Sequence, residues 1–436
     1  MAHLNQDQLA TIAYLTGIDE NGALVTENGW SWNGSTGTHS YVHGSAHKWG
    51  TPTAGSSGGT VTAAFSGSWS TAEEGIVEAA LALWSDVANI GFRFVAAAAS
   101  AQIVFAKAAS GATATSYVAS SPGLPGQTVV PTILDGNTEF NTGVYAWSQL
   151  YSFTKAAGYG VDTVVHEVSH ELGLAHTGPY NGSYVSAVDQ HNATDSQLYS
   201  IMSYVNPADS SARYFSQYAV TGSDWGVGSD GYARTPTTWM PLDILAVQRL
   251  YGMPTSTPLA GGQVFGFHCN VQGASKPFFD FTVNTNPVIT LWDAGRGNTL
   301  DLSGFAAPSR VNLNAGSYSS CDGMTNNIAI AFDTRVDGFV GGPGSDTVTV
   351  NSDSDTITGG GGANLVILAA AGAASVTITD FAVGRDHLEL SGYADDATTA
   401  ALASAHDVGA STVMTLSDHS TITLLGVANA SAGMFV

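Results

Sequence analysis

The stretch HEVSHELGLAHTG, His166 to Gly178, concentrates three of the chain's 12 histidines. His166 and His170 are four residues apart, so on a helix both imidazoles project from one face toward a common point. Glu167 then lies beside that point, where it can accept a proton from whatever binds there. Gly173 permits a sharp turn out of the helix that brings His176 round as a third nitrogen. Three neutral imidazoles suit zinc, and three protein ligands leave a position for water. With this composition, a chance match to H-E-x-x-H-x-x-G-x-x-H is expected on the order of 10⁻⁴ times. Further on, SIMSY places Met202 at 26 positions beyond His176. A methionine there is expected to pack under the metal rather than bind it. The chemistry within reach of this set is hydrolysis by a zinc-activated water, with Glu167 as general base.

Such a set needs elements to hold it. TAEEGIVEAALALWSDVANIGFRFV is the clearest helix-then-strand unit: Ser70 or Thr71 caps it, Glu73 and Glu74 suit the first turn, and Ile76, Ala79, Ala80, Leu83 and Trp84 form an apolar stripe. AQIVFAK, residues 101–107, is predicted as a strand. PLDILAVQRLYG is predicted as a helix closed by Gly252. Leu9, Ile12, Ala13 and Leu15 are spaced for a short amphipathic helix near the start. Residues 1–252 thus form a mixed α+β domain, with about 1–20 an N-terminal helix or propeptide-like segment. A second histidine set, His39, His43 and His47, is also spaced by four, but its glycines and lack of a nearby carboxylate predict a solvated loop.

From Met253 the character changes to short strands between Gly, Asn, Asp and Ser turns, so residues 253–436 are predicted to be all-β. A nine-residue period runs through it. GGPGSDTVT, residues 341–349, fits G-G-x-G-x-D-x-U-x, a calcium-binding parallel β-helix repeat. Neighbouring units put Asp337, Asp346, Asp355 and Asn364 at the sixth position, and Phe339, Val348, Ile357 and Val366 at the eighth. Glycines turn tightly and offer carbonyls, the aspartate offers anionic oxygen, and the eighth residue fills a core. The candidate calcium residues are Gly341, Gly342, Gly344, Asp346, Asp337, Asp355, Gly359, Gly361 and Asn364, with Asp293 and Asp380 outside the repeats. Only one of the glycine-bearing units is complete, so few calcium ions are expected.

The chain has 436 residues, of which 11% are charged and 51 are glycine, a balance suited to β-rich, turn-rich structure. With 35 acids against 12 Lys and Arg its formal charge is −23. That surface repels phosphate backbones and anionic lipid, which argues against nucleic-acid and membrane-surface binding, and attracts divalent cations. No apolar run is long enough to span a bilayer, and the first residues lack the pattern of a cleavable export signal. Cys269 and Cys321 lack zinc-site spacing; a disulfide between them and two free thiols are equally open.

The extended histidine motif with its downstream methionine is the metzincin zinc-protease signature. Together with PLDILAVQRLYG, the nine-residue repeats, ALALWSDVANIGF, WDAGRGNTLDLSGF, VNLNAGSYS and ITDFAVGRDHLELSG, it resembles the serralysin family from about residue 60 to the end. The resemblance implies a metzincin catalytic domain, with a twisted sheet and an active-site helix, followed by a parallel β-roll. It implies one catalytic zinc on His166, His170 and His176, with Tyr204 as a further ligand that swings off to bond the oxyanion. It implies a peptide substrate lying along a sheet edge near Ile103, Val104 and Phe105. It also implies a monomeric, broad-specificity endopeptidase of a Gram-negative bacterium, exported by a type I secretion apparatus that reads the uncleaved C-terminus, and a protein inhibitor as partner.

Thr177 stands where the family has proline, Gly433 replaces an acidic residue in the terminal SAGMFV, and Asn298 stands where aspartate is common. These departures leave the zinc residues intact and predict weaker calcium dependence. The competing reading is an inert, calcium-stabilised surface or S-layer-associated protein; retention of all four motif residues favours the enzyme. A matrixin- or astacin-like protease fused to an unrelated β-domain is the other alternative, which the β-roll motifs disfavour.

Overall fold

The computed structural model describes residues 4–26, 46–108, 112–118, 124–141, 159–181, 184–218, 220, 222–228, 231, 233–370 and 374–436. The chain divides into two compact units. One comprises Met1–Pro258, Gln272–Phe278 and Val283–Thr290; the other comprises Leu259–Val271, Phe279–Thr282 and Leu291–Val436. Against a division at 252, the change of unit falls six residues later, and two short segments return to the first unit.

The first unit holds helices α1 (Gln6–Thr16), α2 (Thr71–Val87), α3 (Tyr159–Glu171) and α4 (Pro241–Tyr251), and strands β1 (Gly59–Phe65), β2 (Ile90–Phe94), β3 (Ile103–Ala108), β4 (Ala112–Val118) and β5 (Ile133–Asn141). Ser70 caps α2 through a reciprocal box with Glu73. The apolar stripe Ile76, Ala79, Ala80, Leu83 and Trp84 is buried throughout. Glu73 also pairs with Lys107 on β3 at 2.8 Å, tying the start of α2 to the sheet. The sheet order is β2-β1-β3-β5-β4. All neighbours are parallel except β4, which runs antiparallel to β5 at one edge.

This order overturns the expectation that Ile103, Val104 and Phe105 line a substrate edge. They lie in β3, which pairs with β1 on one side and β5 on the other. The run of apolar residues that marked β3 as a strand marks an interior strand: Ile103 and Phe105 are fully buried. Among the described strands, the antiparallel edge belongs to β4.

In the second unit the nine-residue period builds two parallel sheets. Strand 338–340 pairs with 354–358, placing Phe339 beside Ile357, and strand 347–349 pairs with 365–369, placing Val348 beside Val366. Successive repeats therefore alternate between sheets, and residues 18 apart align along each one. All four of those eighth-position side chains are buried, as the repeat required. No disulfide joins Cys269 and Cys321. Burial pushes the Cys321 thiol up to about 12, and Asn327 Nδ2 donates to its sulfur at 3.3 Å. Among the described residues no helix is long and apolar enough to cross a membrane.

Candidate metal centre

Helix α3 ends after Glu171, and Gly173 takes φ +91°, the left-handed conformation its position in the motif called for. A Cβ at Gly173 would lie 2.1 Å from the His47 carbonyl oxygen, so no other residue fits without displacing backbone. The turn delivers His176 to the pair on the helix. Nε2 of His176 lies 3.2 Å from Nε2 of His166 and 3.2 Å from Nε2 of His170. Tetrahedral coordination with zinc–nitrogen distances of about 2.0–2.1 Å requires separations of roughly 3.3 Å.

The opposite side of each ring fixes its tautomer. His166 Nδ1 donates to the Ile201 carbonyl at 3.0 Å and His170 Nδ1 to the Leu174 carbonyl at 2.7 Å; the His176 ring hydrogen-bonds the Tyr180 backbone. A carbonyl only accepts, so each neutral ring carries its proton on that outer nitrogen, and the inner lone pairs face one another. Three lone pairs at this spacing repel unless a cation sits among them. Burial, the largest cause for each, depresses His166 to about 4, His170 to about 3 and His176 well below its ordinary value, so all three stay neutral. The donor set fits zinc, and among the described residues it is the group of three such side chains able to share an ion.

Glu167 is nearly buried beside this set, and desolvation, then the neighbouring Glu171, pushes its carboxyl up to about 8. Glu171 anchors the helix to the sheet. Its Oε1 accepts from Thr138 Oγ1 at 2.8 Å, and its Oε2 fills the space a Cβ at Gly136 would need. Met202 is fully buried. The Tyr204 ring lies 4.7 Å from that of His176 and 6.0 Å from that of His166.

Several supporting residues carry no signature that sequence reading could find. Asp243 accepts from Ser200 Oγ at 2.5 Å, Ile201 N–H at 2.7 Å and Met240 N–H at 2.8 Å, linking α4 to the methionine turn. Its position three residues into α4 is a faint capping signal. Asp195 and Tyr180 have no spacing relation to the motif. Helix α1 is a built-in part of the unit: Ile12, Tyr14 and Leu15 are buried, and the Leu15 carbonyl accepts from Ala175 N–H at 2.9 Å, one residue before His176. His47, expected in a solvated loop, is buried near His170 because its segment packs under the Gly173 turn; His39 and His43 lie outside the described residues.

The calcium candidates divide by what already satisfies them. Asp293 Oδ2, Asp346 Oδ2 and Asp355 Oδ1 are buried carboxylate oxygens without a hydrogen-bond partner. Burial raises all three carboxyls, Asp355 to about 7. Bare buried oxygens of this kind fit a hard cation. Elsewhere protein donors occupy the acceptors. Asn364 Nδ2 donates to the Gly361 carbonyl at 2.9 Å, Asp380 accepts from Gly359 and Gly360 N–H at 2.8 Å each, and Asp337 accepts from Gly297 N–H at 2.6 Å. Arg335 pairs with Asp353, two nine-residue repeats further on. Gly341, Gly342 and Gly344 make close backbone passages where a Cβ would clash.

Residues 256–431 match the family model described as Peptidase M10 serralysin C terminal, and residues 63–198 match the one described as Matrixin. A metallopeptidase AprA of Pseudomonas marginalis is 32% identical over 284 residues, covering 63% of this chain and 54% of the relative. Serralysin C of Dickeya chrysanthemi is 37% identical over 194 residues, 43% of this chain and 36% of the relative. A serralysin of Photorhabdus luminescens is 31% identical over 279 residues, 62% of this chain and 50% of the relative. The chain therefore spans about half the length, or less, of the curated relatives it matches. These matches agree with the resemblance read from the motifs.

Proposed function

We infer, from the premise that the chain belongs to the serralysin family, that it is a secreted zinc-dependent endopeptidase acting on polypeptides with broad specificity. The observation that carries this reading is the convergence of three neutral imidazole nitrogens, each locked by a backbone partner on its outer side. Zinc held by His166, His170 and His176 supplies a Lewis acid and lowers the pKa of water toward about 7. Glu167 is the general base: it takes the proton as water oxygen bonds to the scissile carbonyl carbon, and returns it to the amine nitrogen as the carbon–nitrogen bond breaks. Tyr204 would be a further residue to hold the metal, and its phenol would donate a hydrogen bond to the oxyanion. The substrate backbone adds to the edge of β4 as an extra strand. Asp293, Asp346 and Asp355 would hold calcium through those oxygens, the C-terminus serves a type I export apparatus, and a protein inhibitor is the regulatory partner.

The test is hydrolysis of a quenched-fluorescent casein by the full chain and by Glu167→Ala prepared alongside it. General-base catalysis predicts a fall of about 10²- to 10⁴-fold in kcat with one zinc per chain retained. Equal activity in both proteins, or none in either with zinc bound and the fold intact, would overturn the proposal.

A further inference from the structure

The Tyr204 backbone is held by a buried hydroxyl network centred on Asp195, and this network spans the two chain segments that carry His176 and Tyr204. Asp195 Oδ1 accepts from Thr177 Oγ1 at 2.5 Å, Tyr180 OH at 2.6 Å and Ser203 Oγ at 2.8 Å. Its Oδ2 accepts from His191 N–H at 2.9 Å. Thr177 follows His176, and Ser203 separates Met202 from Tyr204. The phenolic oxygen of Tyr180 also accepts from Tyr204 N–H at 3.1 Å, while the two rings stack at 4.8 Å. Tyr184 OH donates to the Tyr204 carbonyl at 2.5 Å.

Each hydroxyl has one proton, and a carboxylate can only accept. Asp195 therefore draws the protons of all three hydroxyls toward itself, and the Tyr180 lone pair is turned to receive Tyr204 N–H. Both backbone groups of Tyr204 are thus engaged. Gly178 packs closely on both partners: a Cβ there would meet Tyr180 Cε1 at 2.1 Å and Asp195 Oδ2 at 2.5 Å. Thr177 thereby contributes one of the three hydroxyl donors.

We propose that Asp195 is a positioning residue which, through Tyr180 and Ser203, fixes the Tyr204 backbone relative to His176 so that the Tyr204 phenol can exchange between metal and substrate. The proposal rests on the endopeptidase reading only for its catalytic consequence. It is tested with the full chain carrying Tyr180→Phe, which keeps the ring stack and removes the hydroxyl, and with Asp195→Ala, which removes the acceptor the three hydroxyls share.

Three readouts separate positioning from general support. In zinc-free protein, amide exchange at Tyr204 is expected to accelerate about 10-fold in Tyr180→Phe, the loss of one hydrogen bond. In copper(II)-substituted protein, a phenolate-to-copper absorption that disappears in Tyr204→Phe is expected to weaken or shift in Tyr180→Phe. On casein, kcat is expected to fall about 10-fold with KM within twofold. Faster exchange and an altered band support the proposal even if no variant cleaves casein, in which case only the endopeptidase reading fails. Wild-type exchange and an unaltered band in Tyr180→Phe would overturn it whatever the activity. Asp195→Ala behaving as wild type in both readouts would do the same.

Discussion

At the residue scale, the candidate metal ligands are oriented by groups on the outer side of each ring. The Ile201 carbonyl that fixes His166 belongs to a turn whose own N–H is held by Asp243. Burial pushes that carboxyl up to about 7, against the pull of its three donors. Asp243→Ala leaves two buried N–H groups and a hydroxyl without an acceptor, at a cost of at least about 2 kcal/mol. Because the lost contacts sit directly behind His166, zinc affinity is expected to fall about 10- to 100-fold. Urea unfolding of the zinc-free protein measures the first quantity and competition with a chelator the second. A destabilised variant with unchanged zinc affinity would show that the turn holds its shape without Asp243.

At the element scale, α2 carries a charge in an unfavourable place. Asp86 lies in its last turn, where the helix dipole opposes an anion, and is buried with Ser275 Oγ donating at 2.5 Å. Desolvation raises its carboxyl from 3.8 to about 6. Between those values the folded state binds more protons than the unfolded state, so this residue lowers stability as pH rises through about 4 to 6 and contributes a constant cost above. Asp86→Asn lacks that slope. Its advantage over wild type is expected to grow between pH 5 and 7 and to reach on the order of 2 kcal/mol. Parallel urea midpoints at the two pH values check it; a constant difference would mean the carboxyl is ionised throughout. The same elements show how much was legible beforehand. The period of α2, the glycine turn after α3 and the nine-residue roll repeats each follow from local chemistry, so their residues fell where spacing put them. The sheet order did not, because β3 and β4 differ in their neighbours, and pairing is decided by residues far along the chain. The sequence therefore marked Ile103–Phe105 as a strand but not as an interior one. Asp195 and Asp243 were hidden for the same reason: each meets its partners only after folding.

At the scale of the whole molecule, a formal charge of −23 makes cations part of the stability balance. Three buried oxygens, on Asp293, Asp346 and Asp355, lack protein donors, whereas Asn364, Asp380, Asp337 and the Arg335–Asp353 pair are internally satisfied. Calcium stabilisation should therefore be confined to a few positions, each worth about 2.7 kcal/mol at a concentration 100 times its Kd. The same argument gives a sign that ordinary destabilisation cannot mimic. Without calcium, a buried acceptor with no donor costs stability, and an amide that leaves the site uncharged relieves part of it. With calcium, the amide is the poorer ligand. Asp346→Asn and Asp355→Asn are thus expected to melt above wild type in calcium-free buffer and below it at millimolar calcium, with zinc held constant in both. Each should also bind fewer calcium ions by equilibrium dialysis. Curves that keep the same order under both conditions would mean that these oxygens take no cation, and that side-chain pairing alone holds the roll together.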